Sequence, residues 1–289
     1  MLFDLRSPGR RNLIKVVYAG LAVLLGGGLI FFGIGGSGGG LLSDVGGGGG
    51  GGGGNPFEDQ IDDAEAKLQQ NPQDQAALAE LVQLNYQAGS NQIQVDQETG
   101  EQSLTEDGEQ RLREAADAWD RYLRVTQKTG AKADTGTALV AFQLFSLLGN
   151  VSFSEARGST SLTDALAKGN DATTSWSDAA EAQRVVADAQ PTAASYVRLA
   201  SLLYLAGDPA GGDQAAAQGR QVAKPNETEA LEQQLKQAKK QGEQLATALA
   251  ELEKQQEKTS QATGGASGAN PLEALGGGGL GSGGGLSGQ

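Results

Sequence analysis

Apolar residues follow three regimes along this chain. From Val16 to Ile34 they run nineteen positions without a charge, from Asn55 to Lys258 they recur every three or four positions, and beyond Ser260 they stand isolated among glycine and serine. Those patterns predict, in turn, a membrane-crossing helix, a succession of amphipathic helices and a disordered tail. Within the middle regime the helix signals are regularly punctuated. A first helix is predicted over Pro56–Gln70, with proline at its start and Asn71-Pro72 at its end. A second runs from Gln73 to Ala88 and closes at Gly89, and a third runs from Glu106 to Lys128 with Thr105 as its cap. A fourth covers Asp134–Leu148, ending before Gly149, and a fifth covers Asp178–Ala189, opened by the capping-box-like pair Asp178 and Glu181. A sixth spans Thr192–Ala206 and closes at Gly207, and a weak seventh over Gly211–Ala223 has only small residues to pack. Between the second and third, Ile93/Val95 and Leu104 flank a turn signal at Glu98-Thr99-Gly100, the pattern of a small hairpin.

The last predicted helix, Glu227–Lys258, carries Leu231, Leu235, Ala238, Gly242, Leu245, Leu249 and Leu252. Their alternating spacing of four and three is a heptad seam. Two readings compete for it: a long helix that caps the final apolar face of the body, or a coiled coil with another chain. Ala238 and Gly242 weaken the centre of the seam.

The helices come in pairs that resemble the tetratricopeptide-repeat superfamily, whose first helix carries W-x2-L-G-x2-Y and whose second carries A-x3-F. The first-helix slots are taken by Leu78, Leu81-Val82 and Asn85 (beside Tyr86), then Ala138, Ala141-Phe142 and Phe145, then Tyr196, Leu199-Ala200 and Leu203. Ala115 and Trp119 fill the second-helix slot, while Ala179/Gln183 and Ala215/Gly219 match it only in the small residue. Glycines follow at Gly89, Gly149 and Gly207, and prolines separate pairs at Pro72 and Pro191. The glycines lie 60 and 58 residues apart where the family repeats every ~34. The pairs therefore carry insertions at 90–104 and 150–177. The resemblance implies an all-α array of about three helical hairpins plus a capping helix, in a degenerate, bacterial-type, membrane-anchored member. It also implies work by protein–protein contact, with Gln83, Asn85, Gln87, Gln143 and Arg198 lining the docking surface and no cofactor.

Flanking charge orients the anchor. Arg6, Arg10, Arg11 and Lys15 precede it against a single Asp4, whereas Asp44, Glu58, Asp59, Asp62 and Asp63 follow. Positive charge stays cytoplasmic, so the N-terminus is expected inside and the helical body outside the cell membrane. A cleaved signal peptide competes with this reading, although no A-x-A site follows the apolar run. The domain organisation expected is a basic N-terminus (1–12), transmembrane helix (13–34), glycine-rich linker (35–54), helical array (55–225), capping or coiled-coil helix (226–258) and tail (259–289). The tail is interrupted by the apolar insert Asn270-Pro271-Leu272-Glu273-Ala274-Leu275, which reads either as a docking peptide or as a stray sticky segment.

Composition narrows the chemistry. Of the 45 glycines, twenty fall in residues 1–54 and twelve in 259–289, so the body between them has ordinary glycine usage. The chain has no cysteine and no histidine, which removes thiolate and imidazole nucleophiles, bases and metal ligands. Its net charge of −13 opposes binding to nucleic-acid phosphates. Carboxylates at Asp96, Glu98, Glu101, Glu106, Asp107 and Glu109 miss the spacing of a calcium loop. Carboxylates such as Asp117 and Asp120, or a Ser–Lys pair, are the candidates for an envelope enzyme, but none has a partner at catalytic spacing. The reading reached is a non-catalytic, membrane-anchored scaffold. An extracytoplasmic spacer without a ligand is its alternative.

Overall fold

The computed structural model describes residues 57–95 and 102–261. The chain divides into two units, Met1–Gly53 with Ser282–Gln289 and, separately, Gly54–Gly281, and the first lies wholly outside the described residues. So do the expected anchor Val16–Ile34, the linker, the insert at 270–275 and the turn at 98–100.

The described residues are all-helical apart from one small hairpin. In chain order the elements are α1 (Glu58–Gln70), α2 (Gln75–Ser90), β1 (Ile93–Val95), β2 (Gln102–Leu104), α3 (Glu106–Thr129), α4 (Thr135–Gly158), α5 (Leu162–Ala189), α6 (Ala193–Leu205), α7 (Pro209–Val222) and α8 (Thr228–Gln261). The strands pair antiparallel with Ile93 opposite Leu104. Most helix starts are set by short polar side chains that accept otherwise unpaired backbone N–H groups. Asp74 accepts from Ala76 and Ala77, Thr105 from Gly108, Asp134 from Thr137, Ser161 from Asp164, and Asp208 from Gly211. Thr192 and Ser195 form a reciprocal capping box at α6. Gly130 (φ 69°) and Gly207 (φ 77°) follow α3 and α6 in left-handed backbone that only glycine adopts freely.

Packing is dominated by sequential neighbours. The helix α2 lies on α3, α4 on α5 and α6 on α7, while α2 and α3 both reach α4, and α5 reaches α6. The core is small-to-large: Ala64, Ala77, Ala115, Ala138, Ala141, Ala165, Ala172 and Ala200 let helix axes approach, and Trp119, Leu112, Leu144 and Trp176 fill the space that remains. By length and composition α4 is apolar enough to cross a membrane. It packs along α5 and against α2 and α3, with Ala138, Ala141, Leu144, Phe145, Val151, Phe153 and Ala156 buried.

Three sequence expectations are corrected here. Gly149 does not end a helix, and Gly89 lies in the last turn of α2, one residue before its end. Both are buried, Gly89 where α2 crosses Leu112 and Gly108 of α3, and Gly149 where α4 meets the Trp176 ring of α5. Second, α5 opens at Leu162 rather than Asp178, which lies in mid-helix. The expected insertion at 150–177 is therefore mostly helix, the long distal half of the α4–α5 hairpin. Its inward positions Ala165, Gly169 and Ala172 are too small to give an amphipathic signal.

The third concerns the seam of α8. Leu231, Leu235, Ala238, Gly242, Leu245 and Leu252 are buried within the same chain, against α6 and α5. Past Leu245 the buried row shifts to Ala248 and leaves Leu249 half-exposed. The helix thus covers the end of the body, and the coiled-coil reading loses the face it needed.

Candidate docking surface

The residues expected to meet a partner divide into two groups. Gln83 and Gln87 lie one turn apart on α2, Gln143 lies on α4 and Arg198 on α6, and all four are half-exposed. Asn85 is different. It is 2% exposed, and its Oδ1 accepts a 3.4 Å hydrogen bond from the Arg111 guanidinium. It lies on the buried side of α2 with Leu78, Leu81 and Val82, so it is withdrawn from the docking surface. The contact between α2 and α4 brings the helices of Gln83, Gln87 and Gln143 together. Arg198 stands apart, on a helix packed by α5, α7 and α8.

None of these four side chains holds a hydrogen bond or ion pair within the described residues. Sequence reasoning passed over further positions of the same kind on the same stripes. Tyr86 is half-buried, and burial raises its hydroxyl pKa above the ordinary value. Ser146, one turn after Gln143, has a buried Oγ with no partner, and Asn150 follows a turn later. The i, i+3, i+7 spacing from Gln143 was the available signal. Such groups lose solvent without gaining internal partners, and an extended backbone, with one donor and one acceptor per residue, can satisfy them.

The remaining polar contacts are structural. Arg111 of α3 donates to both carboxylate oxygens of Glu58 on α1 at 2.6 and 2.7 Å and to Glu114 at 2.9 Å. A polar cavity of about 290 Å³ lies beside it, lined by Glu58, Gln92, Asp107, Gln110 and Arg111. With Arg111 already engaged by two carboxylates, that cavity offers no free cation. Glu106, Asp107 and Glu109 sit in the first turn of α3, and no three carboxylates among the described residues are placed to hold a metal. Asp96, Glu98 and Glu101 lie outside the described residues. Asp117 and Asp120 are exposed on α3.

Asp178 is half-buried on α5, and its pKa is pushed up to about 6, first by burial and then by the carboxylates of Asp120 and Glu181. An unfolded aspartate titrates near ~3.9, so between about pH 4 and pH 6 the folded state binds more protons and stability falls as pH rises. Asp178→Asn is expected to remove that loss. The full two-unit shift would be worth ~3 kcal/mol, and solvent screening of a half-exposed group reduces it to about 1 kcal/mol, or a Tm rise of ~2–4 °C. Circular-dichroism melts at pH 7.5 and pH 4 check this: a gain at the higher pH that vanishes at the lower is expected, and an unchanged Tm at pH 7.5 would refute it.

No protein family, no curated protein and no solved structure matches this chain. Function must therefore be argued from the surface itself.

Proposed function

We propose that this chain is a non-catalytic, single-pass membrane scaffold of the tetratricopeptide-repeat type, binding a protein or peptide through Gln83, Gln87, Gln143 and Arg198. In this reading Val16–Ile34 anchors the chain, the N-terminus is cytoplasmic, and the helical body stands on the extracytoplasmic side. The observation that carries it is the set of half-exposed polar side chains on α2, α4 and α6 with no partners among the described residues. Two further features support it. Packing of α2 on α3, α4 on α5 and α6 on α7 is the order a hairpin array requires, and α8 covers the last pair as a solubilising cap. The anchor assignment rests on the charge asymmetry about Val16–Ile34, since α4 is engaged within the body.

The test is affinity capture with the full chain from detergent-solubilised membranes, comparing wild type with a Gln83→Ala/Gln143→Ala variant of unchanged helical content. One partner recovered by the wild type and reduced ~10-fold or more with the variant is expected, as loss of two polar contacts near 1 kcal/mol each would give. Equal recovery would move docking away from these helices. Absence of any specific partner would leave an extracytoplasmic spacer.

A further inference from the structure

Arg198 is anomalous among the cations of the body. Among the described residues the half-buried cations are Arg111, Arg157, Lys168, Arg198 and Lys239. Arg111 is held by Glu58 and Glu114, Lys168 by Glu155 and Lys239 by Asp213, and Arg157 also has a partner. Arg198 has none among the described residues, in a chain where 35 acids outnumber 22 bases. Burial draws its pKa below the ordinary arginine value. Along its own stripe of α6 lie Ala194, Ser201 and Leu205, all half-exposed, and the Ser201 hydroxyl is spent on the Val197 carbonyl at 2.8 Å. A guanidinium stripped of part of its water with no carboxylate in return is a net loss for the folded body. The complement is a carboxylate flanked by apolar groups, able to accept two parallel N–H bonds while covering Ala194 and Leu205.

Beyond α8 the chain carries one such group, on the same side of the expected anchor as the body. Residues 259–289 hold a single charged residue, Glu273, set between Leu272 and Ala274-Leu275 and bracketed on both sides by glycine-rich sequence. We propose that the carboxylate of Glu273, carried by the insert Pro271–Leu275, docks on the Arg198 guanidinium of the same chain. The contact is intramolecular, and an external partner would reach Arg198 only by displacing it, so Gln83, Gln87 and Gln143 remain the part of the proposed surface that is open while the tail is docked. Chain length permits it. The end of α8 is located by Gln256, whose Nε2 donates to Thr163 Oγ1 at the start of α5 at 3.4 Å. At the other end of α5, Gln183 Nε2 donates to the Ser195 carbonyl at 3.1 Å, which sets Arg198 about level with residue 180. The separation is then ~26 Å along α5, or ~33 Å counting the last turn of α8. Twelve residues from Gln261 to Glu273 reach ~40 Å when extended. Tethering holds the insert near the site at millimolar effective concentration, so half-occupancy requires a millimolar intrinsic affinity, which the two parallel N–H bonds must supply together with the cover of Ala194 and Leu205 by Leu272 and Leu275.

The absence of cysteine makes the test clean. Ser201→Cys and Ala274→Cys are introduced together into the full chain in detergent, and disulfide formation under mild oxidant is timed against a Ser201→Cys/Ser287→Cys control. An intrachain disulfide forming ~10-fold faster than in the control is expected, with Glu273→Lys reducing it to the control rate and Arg198→Glu combined with Glu273→Lys restoring it. Glu273→Lys alters only the tail, so its effect does not pass through folding of the body. Equal rates in the two pairs, insensitivity to charge, or a disulfide joining two chains would each overturn the proposal.

Discussion

Gly242→Leu is expected to loosen α8 from the body, at a cost of roughly 3 kcal/mol and a Tm fall on the order of 10 °C. Viewed along the heptad alone, leucine belongs at this position, and losing a mid-helix glycine should add ~1 kcal/mol of helix propensity. The packing reverses that expectation. A Cβ at residue 242 would lie 2.7 Å from the carbonyl carbon of Tyr204 and 2.8 Å from its Cβ. Tyr204 has little room to yield. Its hydroxyl donates to Asp213 of α7 at 2.7 Å, Lys239 of α8 donates to the same carboxylate at 2.8 and 2.9 Å, and the ammonium sits 5.8 Å over the tyrosine ring. Three helices are thereby pinned at one point, with the backbone of α6 pressed into the gap that glycine leaves. The sign of the effect decides between the two roles of α8. A seam that served another chain would melt higher and self-associate more with leucine; a capping seam melts lower. Melting curves with light scattering on the full chain in detergent separate the outcomes.

Gly242 also shows where sequence pattern stops being informative. Its presence weakens the heptad, and the reason lies on α6, thirty-eight residues earlier, beyond the reach of any local period. The same holds for Gly89 and Gly149. A glycine after an apolar run is a normal helix stop, and at Gly207, with φ 77°, it is one. At the other two positions glycine is needed for its missing side chain, because a neighbouring helix crosses there. The cap at Thr105 was legible because it acts within three residues of itself, whereas the equally local pair Asp178 and Glu181 misled because it lies in mid-helix, and the Thr192–Ser195 box went unread. The distal half of α4–α5 was not legible, because its buried face of alanine and glycine lacks the large side chains that reveal a period. At the candidate surface, side-chain chemistry pointed to Gln83, Gln87 and Gln143. Pattern alone could not show that Asn85 turns inward to Arg111, or that no carboxylate among the described residues pairs with Arg198, since both depend on what other helices bring alongside.

Gly149→Ala is expected to destabilise the body by ~2–3 kcal/mol in the native chain and to be neutral or stabilising once Trp176 is replaced by leucine. Trp176 is 1% exposed, and a Cβ at residue 149 would lie 2.5 Å from its Nε1, 2.7 Å from Cδ1 and 3.0 Å from Cε2. The indole has no free direction. Phe153, one turn further along α4, packs against it with ring centroids 5.8 Å apart at 50°. Trp176→Leu alone removes part of the largest side chain in the α4–α5 hairpin and should cost ~3 kcal/mol through the cavity it leaves. In that background the added methyl enters vacated space and replaces glycine with a better helix former, so Gly149→Ala should return ~1 kcal/mol. The coupling between the two substitutions is therefore expected near 3 kcal/mol, at the upper end of what contacting residues show. Urea unfolding of wild type, both single variants and the double variant measures it directly. If the double variant equals the sum of the singles, the helices do not cross at this glycine, and the long α4–α5 hairpin would have to pack elsewhere.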